Sequence, residues 1–268
     1  MVEKLNQAKN LVLFDDKIRT AEVFGAYYHR QVCCVRSAAD LEALRRFTHD
    51  HPRFIAKPLN GTCGMGVQIV DLTDEANPDT RLNDLIGQYC SGTDAGFIVE
   101  ELIVQVPAMA QLHPASVNSI RVATIRYPEG AEVLASFLRV GRGDSIVDNA
   151  GAGGIIGTLD LDTGCVIAAA DEFGNAFDTH PDTGLPLVGF QIPQWEQAKA
   201  MACELATIVK GNRYAGWDLA LTEKGWVMVE GNARGQFVWQ MPTQKGFWPE
   251  MNRVFARLGM KEMKNHGI

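Results

Sequence analysis

A lysine followed by a glycine-rich turn is the first feature of this sequence that could do chemistry. Lys57 ends a short apolar run, and the segment from Asn60 to Gly66 reads Asn-Gly-Thr-Cys-Gly-Met-Gly. Glycines let backbone N–H groups approach an anion because no Cβ intervenes, and the lysine adds a point charge for phosphate. The segment matches neither the P-loop nor the dinucleotide fingerprint. It favours a phosphate-binding loop, with a flexible hairpin carrying a surface lysine as the alternative.

Two carboxylates and an amide lie on the two arms of one predicted hairpin. Glu230 and Asn232 are two positions apart, so on a strand they share one face, and Asp218 on the other arm can join them. Oxygen ligands of this kind suit Mg²⁺. Carboxylates on neighbouring strands repel each other unless a cation lies between them. The pattern favours a magnesium site, and the alternative is a set of polar residues on an exposed hairpin face.

Arginines stand among apolar residues in the predicted strands of the second half of the chain, close in sequence to a glycine-rich stretch over 148–154. Arginines along one face of a sheet can line a site for an anion. The alternative is a solvated sheet face. The arginines concerned are Arg121, Arg126, Arg139, Arg142 and Arg234.

The hydrophobic pattern predicts the elements that position these residues. Helices are predicted over 16–30, 37–50, 79–90, 192–211 and 247–259. Strands are predicted over 54–59, 66–72, 96–103, 119–127, 132–140, 154–162 and 165–173, and in a hairpin over 216–232 that turns at Glu-Lys-Gly. Strands and helices alternate without regular βαβ spacing, which predicts an α+β protein with antiparallel sheets.

Composition excludes several classes of protein. The chain has 268 residues, 46% hydrophobic and 21% charged, with a net charge of −7. This is ordinary globular usage, and no apolar run is long enough to span a membrane. The acidic balance argues against binding to nucleic acid. The six cysteines form no CxxC pair, and the N-terminal residues lack the apolar stretch of a signal peptide. We therefore expect a cytoplasmic protein with reduced thiols.

Taken together, these segments resemble the ATP-grasp superfamily, and most closely its sugar-transfer-associated, carboxylate–amine ligase-like group. The resemblance implies two lobes with mainly antiparallel sheets that grip ATP between them. It also implies a small lobe over 1–103 with the glycine-rich lid and a large lobe over 104–268 with the metal-binding hairpin and substrate cleft. The segments that carry it are FDDKIRTAEVF, FIAKPLNGTCGMGV, FIVEELI, HPASVNSIRVATI, VDNAGAGGI and WDLALTEKGWVMVEGNARG.

The resemblance implies a role for each matching residue. Lys17 and Lys57 would hold the nucleotide phosphates, and the backbone from Glu100 to Ile103 would read the adenine edge. Asp218, Glu230 and Asn232 would bind Mg²⁺. The lid residues would be Gly61, Gly64, Met65 and Gly66, and the hinge residues that contact the nucleotide would be Glu100, Glu101 and Ile103. The catalytic candidates are Arg121, Arg139 and Arg234, and the weaker substrate-binding candidates are His113, Asn118 and Asn149.

The sequence departs from the family pattern at three points. Thr62 and Cys63 stand where the lid often carries serines, and Gln105 is the only candidate to replace a ribose-binding acidic residue. Only sixteen residues precede Lys17, where many members have a whole α/β domain. We therefore expect something to cover the cleft, and a homodimer is the commonest solution. The aromatic residues Phe237, Trp239, Phe247 and Trp248 could form the contact patch or, alternatively, pack in the core.

The function that follows from the resemblance is that of an ATP-dependent ligase. A substrate carboxylate would become an acylphosphate, and an amine or another nucleophile would displace phosphate. The carboxylate and amine would belong to small molecules or to carrier-bound or peptide substrates. Two alternatives stay open at this point: a small-molecule kinase on the same scaffold, and a non-catalytic nucleotide-binding partner.

Overall fold

The computed structural model describes residues 2–59, 64–91, 96–235 and 237–260 of the chain. The strands within these residues are β1 Val32–Val35, β2 Arg53–Pro58, β3 Gln68–Asp71, β4 Phe97–Glu101, β5 Ile120–Tyr127, β6 Gly130–Val140, β7 Ile155–Leu159, β8 Val166–Ala170, β9 Tyr214–Thr222 and β10 Gly225–Asn232. The helices are α1 Val2–Leu5, α2 Ala8–Asp15, α3 Lys17–Phe24, α4 Leu41–Asp50, α5 Pro78–Tyr89, α6 Pro107–Ala110, α7 Trp195–Ile208, α8 Gln240–Thr243 and α9 Trp248–Arg257.

The first sheet has the strand order β1-β4-β2-β3, and its pairings are antiparallel. Helices α4 and α5 cover it because each turns an apolar stripe inward, including Leu44 and Phe47 of α4 and Leu85 of α5. Ser37 and Asp40 form a capping box just before α4. This sheet carries Lys57 near the end of β2 and Glu100 near the end of β4.

The second sheet has the strand order β10-β9-β5-β6-β7-β8, again with antiparallel pairings. Helix α7 packs on one face through residues such as Ala198 and Leu205. Ile120 and Trp217 point into the same core. Since side chains alternate along a strand, Arg121 and Asp218 lie on the opposite face. The two sheets give the α+β architecture that the sequence predicts.

The N-terminal helices pack against the second sheet. The rings of Phe14 in α2 and Phe24 in α3 lie 5.8 and 5.3 Å from the Trp217 ring of β9. Asn6 anchors the segment before α2, because its amide nitrogen donates to the Tyr214 and Ala233 carbonyls. This packing places Lys17, the first residue of α3, beside the second sheet. The division into lobes at residues 103 and 104 stays a prediction.

The structure contains elements that the sequence pattern did not indicate. Helix α2 was not predicted, and neither was the edge strand β1. The latter reads Val-Cys-Cys-Val, and its two cysteines, Cys33 and Cys34, are half-buried free thiols. The helix predicted over 16–30 is wrong beyond Phe24, where α3 ends and a short 3-10 turn, Gly25–Tyr27, follows. The other predicted helices and strands end within a few residues of the observed ones.

Of the two alternatives for the aromatic residues near the C-terminal end, the structure favours packing in the core. Trp239 is buried, and the rings of Phe237 and Phe247 lie 4.9 and 5.2 Å from its ring. Phe237 also stacks on Tyr214. These aromatic side chains therefore hold α9 and the segment before it against the second sheet.

The helices of the described ranges are short. The longest is α7, with 14 residues, whereas a helix needs about 20 apolar residues to cross a bilayer. No helix in these ranges is long and apolar enough to span a membrane.

We expect Phe14→Ala to lower the free energy of unfolding by about 3 kcal/mol, because it opens a cavity against Trp217. Urea denaturation measures the change. Val12→Ala on the same helix is the matched control, since Val12 is half exposed and should cost less than about 0.5 kcal/mol. Equal effects of the two substitutions would contradict the packing of α2 on β9.

Candidate functional site

A row of charged side chains crosses the second sheet. Asp218 of β9 is the register partner of Glu230 on β10 and of Arg121 on β5. Directly opposed residues on neighbouring strands have side chains close enough to interact. The hairpin therefore sets the two carboxylates side by side, with the arginine on the far side of Asp218.

The carboxylate of Asp218 is buried and held by two arginines. Arg121 donates to it through Nε and Nη2, each at 2.5 Å, and Arg139 donates through Nη1 at 2.5 Å. Burial alone would raise the pKa of Asp218, but the attraction of Arg121 and Arg139 outweighs it and the pKa is lowered. Asp218 therefore stays ionised, and it fixes both guanidinium groups on this face of the sheet.

A second buried carboxylate continues the network. Nη2 of Arg139 lies 2.9 Å from Oδ1 of Asp148, whose Oδ2 accepts hydrogen bonds from the backbone and hydroxyl of Ser119. The pKa of Arg121 is raised, because the attraction of Asp218 exceeds the lowering caused by burial. The two arginines form one permanently charged cluster, and their two positive charges are matched by the carboxylates of Asp218 and Asp148.

A separate cluster joins the two sheets. Nζ of Lys57 lies 2.8 Å from Oε2 of Glu100, and Nε of Arg30 donates to the same oxygen at 2.8 Å. Glu100 and Arg30 are almost fully buried, with side chains 5% and 4% exposed. The guanidinium of Arg30 also donates to the carbonyl of Met228 on β10, at 2.6 Å.

Two cations around one buried carboxylate hold it in the ionised state. Burial alone would raise the pKa of Glu100, but Arg30 and Lys57 outweigh it and lower the pKa from 4.5 to about 2. The family resemblance predicts that the backbone from Glu100 to Ile103 reads the adenine edge, and this stays a prediction. The structure adds that the side chain of Glu100 is the counter-ion of Lys57.

Lys17, one of the two lysines expected to bind phosphate, lies near Glu230. Nζ of Lys17 is 4.0 Å from Oε1 of Glu230 and donates to the Leu59 carbonyl at 3.3 Å. Burial lowers the pKa of Lys17, Glu230 opposes this, and Lys57 is close enough to lower it further. The side chain of Glu230 is 41% exposed. Lys17 of α3 thus lies close to Glu230 of β10 and to Lys57 of β2.

The glycine-rich segment lies partly outside the described residues, and this includes Gly61. Gly64 has a φ of +75°, and a Cβ there would come within 3.0 Å of Val147 and 3.2 Å of Oδ1 of Asn149. The carbonyl of Gly66 accepts a hydrogen bond from the Tyr89 hydroxyl at 2.6 Å, and Met65 is exposed. The described end of this segment therefore lies against the loop over 147–149, which follows β6.

The donor set of the hairpin fits a hard cation. Glu230 is partly exposed, and the buried amide nitrogen of Asn232 has no hydrogen-bond partner among the described residues. Its amide is therefore not committed to internal bonds. Asp218 has four lone pairs and gives three of them to the arginines. Two carboxylates and an amide satisfy the oxygen preference of Mg²⁺. Among the described residues, no three His, Cys, Asp or Glu side chains cluster closely enough to hold a metal ion.

The hinge residues lie at the end of β4 and just after it. The backbone N–H of Glu101 donates to the Gln31 carbonyl at 3.1 Å. Ile103 follows β4 in an irregular, half-buried segment. Gln105 does not fit the ribose-binding role expected of it, because both ends of its amide bond the backbone of Asn118, at 2.8 and 2.7 Å.

The remaining predicted residues have internal partners. Both ring nitrogens of His113 are used, by Ser116 and by the Gly143 carbonyl, each at 2.9 Å. Asn118 is fully buried and donates to two backbone carbonyls. Arg234 is exposed and pairs with Asp15, two residues before Lys17. His113 and Asn118 support the loop next to the site, and substrate contact for these residues stays a prediction.

Arg30 and Asp148 complete the site, and sequence reasoning assigned neither of them a role. Asp148 was seen only as the start of a glycine-rich stretch. Arg30 follows Tyr-Tyr-His, with no motif around it, and its partner Met228 is 198 positions away. Only co-variation between such distant positions would have signalled the contact.

The comparison with protein families decides the membership of this chain. The family described as sugar-transfer associated ATP-grasp matches residues 1–256. The chain belongs to this family. No curated protein sequence matches it.

Solved structures share the ATP-grasp fold with this family member. The ATP-grasp ligase PsnB, complexed with a minimal precursor, is 16% identical with a TM-score of 0.55 over 94% of this chain and 64% of its own. Phosphoribosylamine–glycine ligase from Thermotoga maritima is 13% identical with a TM-score of 0.60 over 96% and 57%. N5-carboxyaminoimidazole synthase from Aspergillus clavatus, in complex with ADP and 5-aminoimidazole ribonucleotide, is 10% identical with a TM-score of 0.57 over 96% and 54%. The chain spans less than two thirds of each.

We expect Glu100→Gln to reduce the acid sensitivity of folding. Because the folded-state pKa is about 2 and the ordinary value is 4.5, the stabilisation by Glu100 is present above pH 4.5 and is lost as the pH falls toward 2. The variant should be less stable than wild type at pH 7, and the difference should shrink below pH 4.5. Urea denaturation at a series of pH values measures this. A constant difference down to pH 2 would contradict the ion pairs of Glu100.

Proposed function

We propose that this protein is an ATP-dependent ligase that activates a substrate carboxylate as an acylphosphate and couples it to an amine or another nucleophile. The observation that carries the proposal is the approach of Lys17 to both Glu230 and Lys57, beside the sheet that also holds two buried arginines. The family membership over residues 1–256 supports ATP as the nucleotide. The ligase neighbours support the reaction class only through their shared fold.

The lysines have the properties of phosphate ligands. Lys57 reaches Glu100 from the strand that leads into the glycine-rich segment, and its side chain is 14% exposed. Lys17 is partly buried beside Glu230. Two ammonium groups held close together with one lowered pKa are poised to accept an anion, because phosphate oxygens relieve the repulsion between them. We assign the β- and γ-phosphates of ATP to this position.

Glu230, Asn232 and Asp218 are the proposed holders of Mg²⁺. The ion, when bound, neutralises phosphate oxygens and orients them for transfer. Glu230 is the accessible carboxylate of the set, whereas Asp218 is shared with Arg121 and Arg139. We therefore assign most of the metal affinity to Glu230, with Asn232 completing the oxygen set.

The proposed reaction needs positioning and charge rather than a protein nucleophile. A carboxylate oxygen of the substrate attacks the γ-phosphorus, and the bond to the β–γ bridging oxygen breaks as ADP leaves. Arg121 and Arg139 are fixed by Asp218 near this point. Preorganised donors of this kind stabilise charge that develops on a transferred phosphoryl group.

In the second step the amine nitrogen attacks the acyl carbon and phosphate leaves with the bonding electron pair. The amine loses a proton as the amide forms. We propose small-molecule or carrier-bound or peptide carboxylates and amines as the substrates. Met65 of the lid segment is exposed, and Asn149 lies against Gly64, so Asn149 is the strongest of the predicted substrate-contact residues. A homodimer, reaction in the cytoplasm and the role of Arg234 remain predictions.

A screen of carboxylate and amine pairs tests the function. Purified protein with ATP and Mg²⁺ is assayed for ADP release, and the product is identified by mass spectrometry. A ligase releases ADP and free phosphate together with a new amide. ADP with a stable phosphorylated product indicates a kinase. Failure to bind or turn over ATP under all pairs would overturn the proposal.

We expect Lys57→Ala to lower the rate of ATP turnover by about 10²–10³-fold, the effect of removing one preorganised donor of about 2–4 kcal/mol. The loss follows because the ammonium would no longer neutralise phosphate. Steady-state ADP release measures it. The matched control is Lys224→Ala in the exposed turn between β9 and β10, which should keep wild-type turnover. Wild-type activity of Lys57→Ala would remove this residue from the site.

We expect Glu230→Gln to raise the Mg²⁺ concentration needed for half-maximal activity by at least about tenfold, because a ligand charge is lost while the shape is kept. A magnesium titration at saturating ATP measures the shift. Glu223→Gln, in the exposed turn of the same hairpin, is the control. An unchanged Mg²⁺ concentration at half-maximal activity in Glu230→Gln would contradict the assignment of Glu230 as a metal ligand.

A further inference from the structure

Arg30 is a buried arginine that the proposed reaction does not use. It lies just before β1, and its side chain is 4% exposed. Its guanidinium donates to the Tyr28 carbonyl at 3.2 Å, to Glu100 at 2.8 Å and to the Met228 carbonyl at 2.6 Å, and it lies 4.4 Å from the centre of the Tyr28 ring. These partners come from three separate parts of the chain. An arginine fixed in this way cannot leave its place without breaking several bonds at once.

The charge around Glu100 is divided between a fixed cation and a movable one. Oε2 of Glu100 accepts from both Arg30 and Lys57. Arg30 is also held by backbone carbonyls. The side chain of Lys57 pairs with Glu100, and Lys57 is the more exposed of the two cations. A buried carboxylate that loses its last cation carries a large penalty. With Arg30 in place, Lys57 can turn away while Glu100 stays neutralised.

Arg30 also connects the first sheet to the strand that carries Glu230. Its acceptor Met228 and the neighbouring Val229, whose carbonyl is 3.4 Å from Nη2, lie at the shift of register just before Glu230. The planar guanidinium of Arg30, with its five donors, therefore binds both Glu100 on β4 and the irregular part of β10. This contact sets the distance between the first sheet, with Lys57, and Glu230.

We propose that Arg30 is a positioning residue that neutralises Glu100 so that Lys57 can exchange this carboxylate for a phosphate, and that it holds the Glu230 strand in register with Lys57. The inference rests on the proposed function for the identity of the anion. The exchange itself is a property of the protein without nucleotide, and it can be measured separately.

The first experiment measures how tightly Lys57 is held in the protein without nucleotide. Trace acetylation with acetic anhydride followed by peptide mass spectrometry gives the labelling of Lys57 relative to the exposed Lys224. In Arg30→Met the full charge of Glu100 acts on Lys57, so its labelling should fall about fivefold. In Arg30→Met/Glu100→Gln it should rise above the wild-type value. Unchanged or faster labelling in the single variant would overturn the proposal.

Two further variants separate charge from geometry. Arg30→Lys keeps the cation but loses the fork that reaches both Glu100 and Met228, so Lys57 labelling should stay within about twofold of wild type. Arg53→Met replaces an exposed arginine of the same sheet and should leave labelling unchanged. Should Arg30→Met fail to fold, judged by thermal unfolding, Arg30→Lys combined with Glu100→Gln carries the test, and labelling no faster than in Arg30→Lys would overturn it.

The second experiment measures MgADP binding by calorimetry. Arg30→Met should weaken binding about tenfold, and adding Glu100→Gln should restore at least half of that loss on a logarithmic scale, because Lys57 is released from Glu100. A double variant as weak as the single one would show that Arg30 does not act through Glu100. If wild-type protein binds no MgADP, the proposed function fails, while the labelling still decides whether Arg30 releases Lys57.

Discussion

Burial of ionised carboxylates is the constraint on which the rest of this structure depends. Asp218 and Glu100 are almost completely removed from water, and a carboxylate in that position is tolerated only with cations and hydrogen bonds around it. Each is therefore surrounded by two basic side chains, Arg121 with Arg139 and Arg30 with Lys57. Around Glu100 two cations face one carboxylate, so this cluster keeps one excess positive charge. Around Asp218 the two arginines are matched by Asp218 together with Asp148.

The antiparallel register of the second sheet brings the charged side chains together in one site. Glu230, Asp218 and Arg121 lie in one row because β10, β9 and β5 are neighbours in the sheet. The shift of register after Met228 adjusts the position of Glu230, and the same backbone receives the guanidinium of Arg30. One face of the sheet is filled by the apolar core around Trp217, so the charged row is confined to the other face.

The site lies where the two sheets and the N-terminal helices meet. Lys17 comes from α3, which packs on β9 through Phe24, and Lys57 comes from β2 of the other sheet. Arg30 and Glu100 join these parts through ion pairs and backbone contacts. Apolar packing joins them as well, since Leu59 and Ile98 belong to the same core as Trp217. A junction of this kind can hold charged groups at a fixed distance from one another. The neighbouring glycine-rich segment contacts the 147–149 loop through Gly64.

The amino-acid sequence by itself determined the class of fold, the hairpin with Asp218, Glu230 and Asn232, and the lysine before the glycine-rich turn. These features are local: the alternation of a strand and the spacing of a turn are readable within about ten residues. It also carried the family resemblance. Only the tertiary structure decided that Glu100 serves Lys57 through its side chain, that Gln105 is committed to Asn118, and that Arg30 reaches Met228. These partners are brought together by the pairing of strands distant in the chain, and the identity of a side chain does not specify which distant carbonyl or carboxylate it will meet.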